Sequence, residues 1–159
     1  MDGEFLCEET FGTIKGVAGG NLIIMGSQPA STLSATERAV AAIRRGCRDV
    51  ILPFPGGIAR SGSKVGSKYK GLRASTNTAF APTLRGVVPS ELPLGARCTY
   101  EIVIDGLSLE SVERAMAIGV RVAASTPGVL GVTAGNYGGN LGPYHIRLPD
   151  VLDRYGAAE

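Results

Sequence analysis

With 159 residues, 44% apolar, 19% charged and no tryptophan, the chain is long enough for one core and too aliphatic for disorder. Residues 1–9 are acidic where a secretory signal would be basic, and the apolar runs at 22–25 and 50–52 are far short of the ~20 residues of a membrane helix, which points to a cytoplasmic protein with no membrane partner. Cys7, Cys47 and Cys98 form no CxxC pair and His145 stands alone, so buried free thiols are expected rather than a disulfide framework or a metal site.

Residues 4–17 alternate loosely up to Gly19-Gly20 and read as an edge strand. Residues 21–25 make a compact aliphatic strand that ends between Gly26 and Pro29. The Ser34-x-x-Glu37 spacing is that of a capping box, so a helix is predicted from Ala35, with Ala39, Val40, Ala42 and Ile43 on its apolar face and Gly46 as its stop. Residues 49–54 form a strand that Pro53 confines to an edge or cuts early. The β-branched and aromatic content of residues 98–105 gives the clearest strand of the chain. Ser108 caps a second helix running to about residue 124, with Glu110 at its positive end and Val112, Ala115, Met116, Gly119, Val122 and Ala123 as its buried stripe. Residues 129–134 are a last core strand, and residues 144–148 a closing strand before a polar tail. Two βα units joined by a long insertion predict an α+β fold: a ferredoxin-like βαββαβ sandwich with both helices on one face and extra strands at both ends. It is expected to form a single lobe over residues 1–159, with a functional insertion at about 56–97.

That insertion is the chemically distinctive stretch. Residues 50–90 hold Arg60, Lys64, Lys68, Lys70, Arg73 and Arg85 without one acidic side chain. Glycines, hydroxyl side chains and the rings of Tyr69 and Phe80 are interleaved with these cations, which suits an anionic ligand. A solvated surface loop is the plainer reading, but structureless loops of this length are uncommon in compact chains unless functional or disordered. Ser61, Ser63, Ser75, Thr76 and Asn77 either donate to a ligand or cap their own turns. Glu101 is a charged side chain on a hydrophobic strand. It is either an exposed strand residue or, if it faces a cleft roofed by the insertion, a group placed for proton transfer. Gly62-Ser-Lys64 and Gly66-Ser-Lys68 have the wrong order for a Walker loop, and no GxGxxG opens either helix, which disfavours nucleotides. No nucleic-acid partner is expected, since the strands lack paired exposed aromatics and Tyr100 is nearly alone. His145, with no partner visible in the sequence, is given a structural role.

Four segments, KGVAGGNLIIMG, FPGGIARSGSKVGSKYKGLRASTNTAFAPTLRG, CTYEIVIDGLS and GVTAGNYGGNLGPYHIRLPDVL, span most of the chain. Together they resemble the C-terminal lobe of the formylmethanofuran:tetrahydromethanopterin formyltransferases. The resemblance implies formyl transfer between the amine of methanofuran and N5 of tetrahydromethanopterin in one-carbon metabolism, with both as coenzyme substrates and no prosthetic group. It implies a homo-oligomer or pairing with an N-terminal lobe, and in bacterial relatives a complex with a hydrolase. By position within CTYEIVI, Glu101 is the implied acid/base. Lys64, Lys68, Lys70 and Arg85 would meet the acidic tails of the coenzymes. Ser61, Ser63, Tyr69, Ser75, Thr76, Asn77, Asn136 and Tyr137 would contact the remaining groups. Two readings stay open: a lobe that carries catalysis, and a coenzyme-binding or assembly lobe inactive without its other half.

Overall fold

In a computed structural model of the chain, residues 3–60, 77–136 and 143–156 are described. Strand β1 spans Val17–Gly26, helix α1 Pro29–Gly46, strand β2 Val50–Ile51, strand β3 Ala59–Arg60, strand β4 Cys98–Gly106, helix α2 Leu109–Ala124, strand β5 Val129–Thr133 and helix α3 Leu148–Tyr155. The sheet runs β2-β4-β1-β5, with β3 also pairing β4, and every pairing is antiparallel. β1 is central because it is aliphatic without interruption from Leu22 to Met25 and so tolerates cover on both faces. Leu22 and Ile24 join Ile102 and Ile104 of β4 under α1 and α2, forming the main core with Ala39, Val40, Ile43, Val112 and Met116. Ile23 and Met25 point the other way and are covered by Phe80, Leu92 and Ala96, so the second half of the insertion roofs the face away from the helices.

The helix starts separate two kinds of signal. Ser108 caps α2 as its spacing predicts: its hydroxyl accepts from the Ser111 N–H at 3.1 Å, and the Ser111 hydroxyl accepts from the Ser108 N–H at 3.2 Å. α1 begins earlier than the Ser34 box implies, at Pro29 behind an extended Gln28 that makes no side-chain cap. Proline at the first helical position supplies a preset φ and lacks only an N–H that would be unpaired anyway, so it starts the helix and leaves Ser34 inside. Of the strand expected at 49–54 only Val50–Ile51 forms, and the chain turns at Pro55.

The extra strands expected at both ends are not formed. Residues 3–16 are exposed throughout and pair with no strand, because β1 already has β4 on one edge and β5 on the other. Residues 144–147 are irregular and Leu148 opens α3, with Pro149 in its first turn. Leu148, Val151, Leu152 and Tyr155 recur at helical spacing and lie against the main core, where Val151 is fully buried. Glu113 of α2 binds Arg154, and the Arg121 guanidinium donates to the carbonyls of Tyr155 and Gly156 at 2.9 and 3.3 Å. No described helix is long and apolar enough to cross a membrane.

Candidate functional site

The site starts from a bulge in β1. Gly19 has φ of 85°, in the left-handed region that favours glycine, and its N–H donates to the Asp105 carboxylate at 2.8 Å. The register slips there, with Val17 opposite Gly106 and Gly20 opposite Ile104. Beyond the bulge Asn21 faces Val103 and Ile23 faces Glu101. Asn21 and Glu101 are thus diagonal neighbours on the sheet face away from the helices, within reach of a long side chain.

Glu101 is half-buried, with its carboxylate held at one oxygen. Oε1 accepts from the Asn21 side-chain amide at 2.7 Å and from the Asn77 amide at 3.3 Å. The Asn21 carbonyl accepts in turn from the Gly135 backbone N–H at 3.0 Å. Asn21 and Asn77 are only 7% and 8% exposed. Among the described residues no hydrogen bond reaches Oε2.

Several segments therefore meet at one carboxylate. The basic insertion enters beside it, since β3 sets Ala59 opposite Glu101, and at the far side of residues 61–76 Asn77 returns to the Glu101 side chain. The second glycine-rich segment begins at Gly135, tied in through Asn21. A cleft of about 310 Å³ adjoins this group at Asn21 and Gly135, with Gly19, Gly20, Asn136 and Tyr144 also among its walls, while Glu101 and Asn77 do not line it. Asn21 thus belongs both to the cleft wall and to the group holding Glu101.

Of the residues singled out from the sequence, Glu101 and Asn77 are bonded to each other and Asn136 lines the cleft. Arg85 is exposed and engaged elsewhere, its guanidinium donating to the Ala96 carbonyl at 3.0 Å. Ser61, Ser63, Lys64, Lys68, Tyr69, Lys70, Ser75, Thr76 and Tyr137 lie outside the described residues. Asn21 and Gly135 were not anticipated. The available signal for Asn21 was an amide immediately before an unbroken aliphatic run, where a buried polar group needs partners.

The cysteines do not behave alike. Cys7 is exposed, against expectation, because the segment carrying it is uncovered. Cys98 is half-buried and donates to the Gly26 carbonyl and the Thr32 hydroxyl at 3.3 and 3.1 Å. Cys47 is buried, and loss of solvent pushes its thiol pKa up; Arg114 opposes this and Asp49 adds to it. Among the described residues no group of three His, Cys, Asp or Glu side chains is placed to hold a metal.

The family described as FTR, proximal lobe, matches residues 3–151. The formylmethanofuran–tetrahydromethanopterin formyltransferase of Methylococcus capsulatus is 50% identical over 155 residues, which is 96% of this chain and 52% of that protein. The solved formylmethanofuran:tetrahydromethanopterin formyltransferase from Methanosarcina barkeri superposes with a TM-score of 0.76 at 44% identity, over 87% of this chain and 47% of that one. A formyltransferase/hydrolase complex from Methylorubrum extorquens, solved with methylofuran, contains a chain similar at TM-score 0.74 and 48% identity, over 86% of this chain and 45% of that one. The chain spans about half the length of the relatives it matches.

Proposed function

The chain belongs to the family of FTR proximal lobes, and from that premise we propose that it is one lobe of a formyltransferase acting between formylmethanofuran and N5 of tetrahydromethanopterin. The observation that carries this reading is that Ala59 and Asn77, which flank the basic stretch, and Gly135, which opens the second glycine-rich segment, gather around Glu101 and Asn21, and that Asn21 also walls a cleft. The transfer begins when the amine lone pair attacks the formamide carbon, giving a tetrahedral oxyanion. The attacking nitrogen then loses a proton, the departing nitrogen gains one, and the original C–N bond breaks. Glu101 suits the proton step: Oε1 is pinned by two amides, and among the described residues none bonds Oε2, the oxygen we propose meets the substrate nitrogen. The cationic insertion, with Lys64, Lys68 and Lys70, would hold anionic tails of the coenzymes. Ser61, Ser63, Tyr69, Ser75, Thr76, Asn136, Tyr137 and Arg85 are proposed contacts around it. No prosthetic group enters this chemistry.

The strand order β2-β4-β1-β5, with α1 and α2 on one face, supports reading residues 1–159 as a single ferredoxin-like βαββαβ lobe with its functional insertion at about 56–97. The assembly we propose is cytoplasmic. It is a homo-oligomer or a pairing with an N-terminal lobe, and a hydrolase partner is suggested by the complex of the Methylorubrum relative.

One observation favours the alternative of a binding or assembly lobe inactive alone: in the exposed residues 3–16, Phe5, Leu6, Phe11 and Ile14 have no cover. The deciding experiment measures formyl transfer to tetrahydromethanopterin by this chain alone and after mixing with the N-terminal half of a relative. Transfer that Glu101→Gln lowers about 100-fold or more is expected. Activity indifferent to that substitution would remove Glu101 from the mechanism.

A further inference from the structure

We infer that Asn21 and Asn77 are positioning residues for Glu101, and that Gly135 is the spacer that allows both to reach it. The inference rests on the formyl-transfer reading above and assigns the groups that hold its proton carrier in place. The polarity of the network is forced by chemistry. The Gly135 N–H only donates, so the Asn21 atom 3.0 Å from it is the carbonyl oxygen, and the amide nitrogen is turned to Glu101. An ionised carboxylate only accepts, so the atoms meeting Oε1 at 2.7 and 3.3 Å are NH₂ groups. Asn21 therefore transmits the position of the second glycine-rich segment to the carboxylate, and Asn77 transmits that of the basic insertion.

Gly135 explains how these segments meet. A Cβ there would stand 2.2 Å from the Asn77 Oδ1, 2.9 Å from its Cγ and 3.2 Å from the Ile23 Cδ1. Ile23 is fully buried and cannot retreat, so any side chain at 135 drives Asn77 off its seat. Asn77, expected from the sequence to touch substrate, is buried and spends its amide on Glu101. A flexible Glu side chain bonded at one oxygen by two buried amides presents the other oxygen in one direction, the kind of preorganisation that proton transfer needs.

The first test is on the full chain without substrate. In ¹⁵N-labelled protein, Glu101→Gln should move the side-chain amide resonances of both Asn21 and Asn77. Unmoved resonances would overturn the network, whatever the enzyme does. The second test is kinetic, on the formyl-transferring assembly that contains this chain. Asn77→Asp, which keeps shape and loses the donor, and Gly135→Ala, which removes no polar group but displaces Asn77 from Glu101, should each lower kcat about 10–100-fold with little change in KM. Asn77→Ser, which restores a donor, should recover part of the loss. Unchanged kcat in Asn77→Asp and Gly135→Ala, with only a lower melting temperature, would mean that the amides serve packing alone and would sink the inference. If instead Glu101→Gln remains active while the resonances do move, the formyl-transfer role of Glu101 is what fails, and positioning for catalysis falls with it.

Discussion

Glu101 stands between Tyr100 and Ile102 on a strand whose even positions face the helices, so its own side chain is committed to the opposite face by the pleat. What makes it a site is the set of donors gathered there from residues 21 and 77. The thiols show the same dependence on surroundings. Cys47 has a raised pKa, so its neutral form is favoured by folding. The stability it contributes is fully present below the ordinary thiol range and is lost as the pH rises through the folded value. At mildly alkaline pH, alkylation followed by mass spectrometry should therefore label exposed Cys7 in the native chain and reach Cys47 only on unfolding. Rapid native labelling of Cys47 would show that its burial is transient. No spacing rule in the sequence separates these cysteines, because their exposure is set by what packs over them.

At the scale of elements, α2 and α3 are held by close contacts. Gly119 of α2 lies where a Cβ would approach the Leu22 Cδ1 to 2.5 Å and the Ile43 Cδ1 to 3.1 Å, and both of those side chains are fully buried. Gly119→Ala would gain about 1 kcal/mol in helix propensity. Forcing a methyl into that seam costs about 1–3 kcal/mol, so the net change should be destabilising. A denaturant midpoint at or above the parent's would show that the seam yields. Val151→Ala should cost about 2 kcal/mol by removing two buried methyls. The same substitution would cost little if the residues after 148 were the polar tail that the sequence suggests. α2 was legible because a capping serine and a 3.6-residue stripe are both local. α3 was not, because its eight residues earn a helix only by docking Val151 and Tyr155 on the core.

For the molecule as a whole, the uncovered residues 3–16 are the main incongruity. Phe5, Leu6, Phe11 and Ile14 are each more than 80% exposed, within a span that the family match includes. Apolar side chains shown to water in this number fit the pairing with an N-terminal lobe proposed above, since about half of the relatives' length lies outside this chain. Deleting residues 3–14 should leave the melting temperature within about 3 °C, since all of them are exposed, while weakening association with an N-terminal half. A large drop in melting temperature would show that the segment folds back onto its own lobe.

The chain's own residues were enough to determine the aliphatic strands, the second helix, the cationic insertion and the family, since these depend on local spacing or on long motifs read in order. They also singled out Glu101 and Asn77, though as separate residues. The tertiary structure alone decided that the two are bonded and that Asn21, 80 positions from Glu101, holds the same oxygen. It likewise decided that Gly135 must lack a side chain and that Leu148–Tyr155 form a docked helix. Each of these depends on which surfaces meet after the chain has turned back on itself, and a bulge of one glycine at position 19 is enough to set which side chains do.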